Sequence, residues 1–194
     1  MNFNDLVRFV RAQGCKVKVH KSSKEIEGAL GFFIEEPYPL IEIAIRDWSK
    51  RRNVSTILHE YGHFCQSREG FSRYLDGICW SLNTFEEWIA GDIKLTKREI
   101  KMVRAVMLSI EYDAEMRACK LGDDMKPKNW DREFHLKEAY SYIVSIKWAF
   151  KHKKNWKKRP SWKLFPARVL SHEELFAPLT KKEIKILRKI TPKK

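Results

Sequence analysis

Thr56-Ile57-Leu58-His59-Glu60-Tyr61-Gly62-His63-Phe64-Cys65 is uncharged everywhere except at Glu60 and the two histidines. A segment of that composition reads as a buried helix that gathers its polar groups at one point. Positions four apart on an α-helix differ by about 40° in direction, so both imidazoles reach one spot while Glu60 projects to its side. His-Glu-x-x-His on a helix is the arrangement in which two rings bind a divalent metal and the carboxylate acts as general base toward a water. The bland alternative, three ionisable groups hydrogen-bonding one another in a core, is costly without a metal or a charged partner.

Two imidazoles need a third ligand. The pattern that continues with Gly and then His at three-residue steps fails, because Gln66 and Glu69 stand there. A better candidate is Glu111-Tyr112-Asp113-Ala114-Glu115-Met116-Arg117-Ala118, where Glu111 and Glu115 share one face of a long predicted helix. Asp113 is the rival if that helix is rotated, and a solvated acidic face is the other reading of the pair.

In order and spacing, these pieces resemble the small gluzincin metallopeptidases carried by phages and prophages, including the IrrE-like group. The resemblance covers about residues 30–150 and rests on a motif set: a strand, the His-Glu-x-x-His helix, then a Glu-x-x-Ala-acid helix. It implies an α+β chain, mostly helical and zincin-like (a minigluzincin) with a small N-terminal β-sheet. It also implies Zn²⁺ held by His59, His63 and Glu111, with Glu115 holding the ring of a metal-bound histidine. Such families usually carry Asp or Asn where this chain has Glu115. The implied activity is peptide-bond hydrolysis of a protein or peptide substrate by metal-activated water, Glu60 taking the proton and passing it to the leaving amine. His135, Tyr140 or Tyr142 would be the donor to the oxyanion, as a Tyr or His is in larger gluzincins. Deaminase chemistry is disfavoured, since it requires a cysteine pair that this chain does not supply.

Around this centre the chain reads as one compact domain with an appendage: 194 residues, 43% hydrophobic and 33% charged, are enough for one real core. Phe3, Leu6, Val7 and Val10 predict a short helix ending before Gly14. Strands are expected over 15–19, 29–34 and 40–45, the last either as the edge strand on which an extended substrate would align or, equally, as an ordinary core strand. A capping box, Thr96 with Glu99, starts a helix expected to end at Gly122; another helix is expected over about 131–150, and Thr180 with Glu183 caps the last one. Phe85 and Trp88 read as core. Cys15, Cys65, Cys79 and Cys119 lack paired metal-ligand spacing and read as reduced, mostly buried thiols. With neither a long apolar run nor a basic-then-apolar start, the expected location is the cytoplasm, that of the host if the chain is phage-encoded.

Charge is unevenly spread. Residues 1–150 carry 24 Lys and Arg against 22 Asp and Glu, whereas 151–194 carry 15 against 3, so nearly all of the net +14 lies in the C-terminal stretch. This sets the expected division, a catalytic domain over 1–150 and a basic extension over 151–194 packed on it or appended to it. Lys153, Lys154, Trp156, Lys157, Lys158, Arg159 and Trp162 interleave cations with aromatics, a pattern that suits nucleic acid or an acidic partner. The alternative function is therefore a zinc-containing fold that acts mainly as a binding module. The plainer reading of the same residues is a solvated face clamped by its tryptophans, and no apolar face supports a membrane role.

Overall fold

A computed structural model describes residues 1–26, 29–35, 37–45, 50–70, 78–153 and 161–190, with backbone alone over 78–83 and 189–190. The described residues are mostly helical, with one small three-stranded sheet, an α+β arrangement. Their backbone forms two compact units, each drawn from two stretches: Met1–Phe71 with Asp113–His135, and Ser72–Tyr112 with Leu136–Lys194. The charge changes after residue 150, within a helix that continues to His152.

The first unit opens with α1 (Phe3–Ala12), whose N-terminus is closed by a capping box between Asn2 and Asp5. Its Leu6, Val7 and Val10 are buried, and Gly14 takes the positive φ of 92° that ends it. Strands β1 (Lys16–His20), β2 (Gly31–Ile34) and β3 (Leu40–Ala44) follow in the order β1-β3-β2. β3 runs parallel to β1, with Lys16 opposite Leu40, and antiparallel to β2, with Gly31 opposite Ile43. Of the two readings of 40–45, edge strand or ordinary core strand, the sheet order gives the second. β3 is the middle strand, its backbone bonded on both sides, and of the three β2 is the edge that packs against the next helix.

That helix, α2 (Lys50–Arg68), lays Val54, Ile57, Leu58, Tyr61 and Phe64 against Ile41 and Ile43 of β3, and this is the core of the unit. Its partner from the later stretch is α4 (Lys97–Met125), the helix after α3 (Ile78–Ala90). Gly62 sets the spacing of α2 and α4. A Cβ at position 62 would lie 2.7 Å from the carbonyl oxygen and 3.1 Å from the Cα of Ala114. Those are backbone atoms that no rotamer change can move. Gly62→Ala gains about 1 kcal/mol of helix propensity but meets an overpacking cost of about 1–3 kcal/mol, so a net loss of stability is expected in chemical denaturation. A variant as stable as the native protein would contradict this close crossing.

Helix α4 does not stop at Gly122, as expected, but continues to Met125 and ends before Pro127. Gly122 instead receives the indole of Trp130, whose ring atoms lie 2.3–2.6 Å from where a Cβ would stand. Asp131 then caps α5 (Arg132–His152) through the Phe134 amide.

In the second unit, Val103, Met107, Leu108, Ile143 and Val144 form a core with Phe85 and Trp88. The C-terminal stretch belongs to that core: Phe165, Leu170, Leu175, Leu179 and Leu187 are all buried in it. Helices α6 (His172–Phe176) and α7 (Lys181–Ile190) carry several of these residues, α7 with the expected Thr180–Glu183 cap. Polar ties hold the same stretch: Tyr112 donates to the Leu170 carbonyl at 2.6 Å, Lys147 to that of Glu174 at 2.5 Å, and Tyr140 to Glu183 at 2.9 Å. Among the described residues, no helix is long and apolar enough to cross a membrane.

Candidate functional site

Helix α2 brings His59 and His63 together as its period dictates. Their Nε2 atoms are 3.2 Å apart and their rings stand nearly perpendicular, at 88°. Glu60 is buried at 6% exposure, and its side chain lies against β2, where a Cβ on Gly31 would come within 3.2 Å of its Cγ. One nitrogen from each ring and one Glu60 oxygen all fall within 4.8 Å of one another. Glycine at position 31 is what lets the edge strand come this close to the carboxylate.

Each ring is oriented from behind. The crossing at Gly62 and Ala114 puts Glu115 beside His59, with Oε1 3.4 Å from Nδ1. A carboxylate only accepts, so Glu115 at this ion-pair distance favours the His59 tautomer that carries its proton on Nδ1. His63 follows the same logic through a longer chain. The Gln66 amide nitrogen donates to Asp113 at 2.8 Å, which turns the amide oxygen toward His63 Nδ1 at 2.9 Å. That contact favours the proton of His63 on Nδ1 as well, which leaves Nε2 as the acceptor on both rings. Asp113 also accepts from Arg117 at 2.6 Å, and Arg117 grips Glu69 with two bonds of 2.7 and 2.8 Å. Asp113 Oδ2 thus supports the amide that orients His63.

Glu115 faces a second imidazole. His135, 1% exposed, sets Nε2 3.0 Å from Glu115 Oε2, while its Nδ1 lies 2.6 Å from Ser55 Oγ. Burial opposes ionisation of Glu115, but His59 and His135 outweigh it and hold the carboxyl well below its ordinary range. Burial likewise opposes the imidazolium of His135, and Glu115 outweighs it, so the ring is pushed up to about 10. Of the three residues offered as oxyanion donors, His135 thus has both ring nitrogens beside partners, Glu115 and Ser55. Tyr140, in the second unit, spends its hydroxyl on Glu183, and Tyr142 packs half-buried against that unit's core.

Glu111 is buried on α4, one turn ahead of Glu115 and two residues before the division between the units. Of the basic stretch, Lys154, Trp156, Lys157, Lys158 and Arg159 lie outside the described residues. Lys153 is exposed and sits 5.6 Å from the Trp88 ring. Trp162 is half-buried between Lys137 at 6.0 Å and Lys163 at 5.7 Å. Cys15, Cys65 and Cys119 are free thiols, and burial raises Cys15 to about 11; the Cys79 side chain is outside the described set.

Sequence reading missed Gln66, Ser55 and the His135–Glu115 pair. Gln66 had a local signal, since three residues after His63 it shares that ring's helix face. Ser55 and His135 are 80 residues apart, and nothing local links them. No protein-family model, curated protein or solved structure matches the chain.

Proposed function

We propose that this chain is a zinc-dependent metallopeptidase of zincin-like build, in which His59 and His63 hold the ion, Glu111 completes the protein ligands and Glu60 is the general base. The observation that carries the reading is the 3.2 Å between the two Nε2 atoms. With Glu115 beside one Nδ1 and the Gln66 amide oxygen beside the other, both Nε2 atoms are left as acceptors, and two acceptors this close repel unless a cation or a shared proton lies between them. Two nitrogens at about 2.0–2.1 Å from a tetrahedral zinc stand about 3.3 Å apart, which agrees with the spacing found. Two imidazoles and a carboxylate suit zinc better than the hard cations that prefer all-oxygen sites. Glu111 enters on the sequence resemblance, supported by its burial one turn ahead of Glu115.

When bound, zinc supplies a Lewis acid for a carbonyl oxygen and lowers the pKa of its water. The rest falls to the chain. Glu60, walled by Gly31, accepts the proton of the attacking water and returns it to the leaving amine. Glu115 and Gln66 keep both rings in the tautomer that directs Nε2 at the ion. β2 supports a peptide substrate, because an extended chain adds naturally to a sheet edge, and this edge lies beside the general base.

The test is digestion of a mixed peptide library with zinc-loaded protein, read by mass spectrometry. New amino termini are expected that vanish with a chelator and return with zinc. A library left intact by protein shown to hold zinc would overturn the peptidase reading.

A further inference from the structure

The carboxylate of Glu115 has two oxygens and two imidazoles facing it. Oε1 lies 3.4 Å from Nδ1 of His59, and Oε2 lies 3.0 Å from Nε2 of His135. Bound to His59 alone, a carboxylate on a flexible Glu side chain could rotate about its terminal bond and lose its aim. His135 removes that freedom by fixing the second oxygen. Its own ring is fixed by Ser55 Oγ on the far nitrogen, at 2.6 Å, and its backbone by the Asp131 cap, whose carbonyl accepts the His135 amide at 2.9 Å. Cys119, 5% exposed, also faces the ring, and Trp130 packs beside it with centroids 5.1 Å apart.

We propose that His135 and Ser55 are positioning residues for the metal centre: Ser55 orients His135, His135 holds Glu115 Oε2, and Glu115 is thereby held square to the ring of His59. The inference rests on the reading of His59 and His63 as metal ligands and extends it to two residues that touch neither the ion nor substrate. Ser55 lies one turn ahead of His59 on α2, so the chain of contacts leaves that helix, passes through α5 and α4, and returns to it. Such a closed loop resists rotation of any one member. The His59 ring is then presented to the ion in a single orientation, and less ordering entropy is lost when metal binds.

The test is zinc affinity by competition with a chromophoric chelator, together with the visible spectrum of the cobalt(II)-loaded protein, for the native chain, His135→Leu, His135→Gln and Ser55→Ala. His135→Leu removes the donor and is expected to weaken zinc about 10–100-fold and to shift the cobalt bands, which report ligand geometry. His135→Gln restores a donor toward Glu115 and is expected to recover most of both. Ser55→Ala is expected to lie between. Should the leucine variant fail to fold, the serine variant decides the matter by the same two readouts. A native chain that takes up neither zinc nor cobalt refutes the metal reading and this inference with it. A native chain that binds both, with His135→Leu or Ser55→Ala matching its affinity and spectrum, overturns this inference alone.

Discussion

Glu60→Gln is expected to keep the fold and the metal and to lower the rate of peptide cleavage by about 10²–10⁴-fold. The substitution preserves size in a place where size matters, since the Glu60 side chain is buried and packs against the Gly31 backbone. An amide fits there but cannot accept a proton from water. The loss should therefore fall on kcat and leave KM largely unchanged, the signature of an interaction made in the transition state. Steady-state kinetics on a peptide identified from the library would measure it, beside zinc content of the same preparation. The metal measurement separates two roles, because a Glu60 oxygen is near enough to His59 and His63 to share an ion with them. Lost metal would make Glu60 a ligand, and an unchanged rate would remove it from the chemistry.

Glu115→Ala is expected to cost about 3–5 kcal/mol of stability in the metal-free protein, the magnitude for breaking a buried ion pair from one side. Glu115 is the counter-ion of His135, which is 1% exposed. Without Glu115 the ring must surrender its proton or stay charged in an apolar site. The same pair sets a pH dependence. His135 has its pKa raised from 6.5 to about 10, so its contribution is fully present below about pH 6.5 and is lost as the pH rises through about 10. Thermal unfolding followed from pH 6 to 10 with chelator present should show a falling Tm in the native chain and a flatter profile in Glu115→Ala. Parallel profiles would mean that the pair does not titrate as described.

How much of this was legible beforehand follows from the range of each signal. The helix that carries His59, Glu60 and His63 was legible because its information is local: two histidines and a glutamate in five residues, uncharged neighbours and a 3.6-residue period. Caps at Thr96 and Thr180 were legible for the same reason, and both are formed. Strand positions were readable, but strand order was not. Leu40–Ala44 has the apolar pattern of a half-buried strand whether it lies in the middle or at the edge, and only its pairing with both β1 and β2 settles which. Gly122 misled because a glycine late in a helix signals a stop, while here it makes room for Trp130 eight residues on, and Pro127 supplies the stop. The basic stretch was expected to be packed on the domain or appended to it, and charge alone could not show that its leucines at 170, 175, 179 and 187 are core residues of the second unit.

The site shows the same divide between local and distant information. Glu115 was readable as an acid one turn after Glu111, but its two-sided use by His59 and His135 depends on a helix crossing that Gly62 permits. Gln66 counted against one family pattern and turned out to orient His63. Its amide direction is set by Asp113, 47 residues away, so its role required the fold.

The most direct test of the central claim is elemental analysis of the purified protein after zinc loading and removal of excess, run beside His63→Ala and Glu111→Ala. A single tightly held zinc per native chain is expected, lost or much weakened in both variants, with secondary structure retained by circular dichroism. A native chain that holds no zinc after loading, or that holds it equally well without His63, would contradict the account.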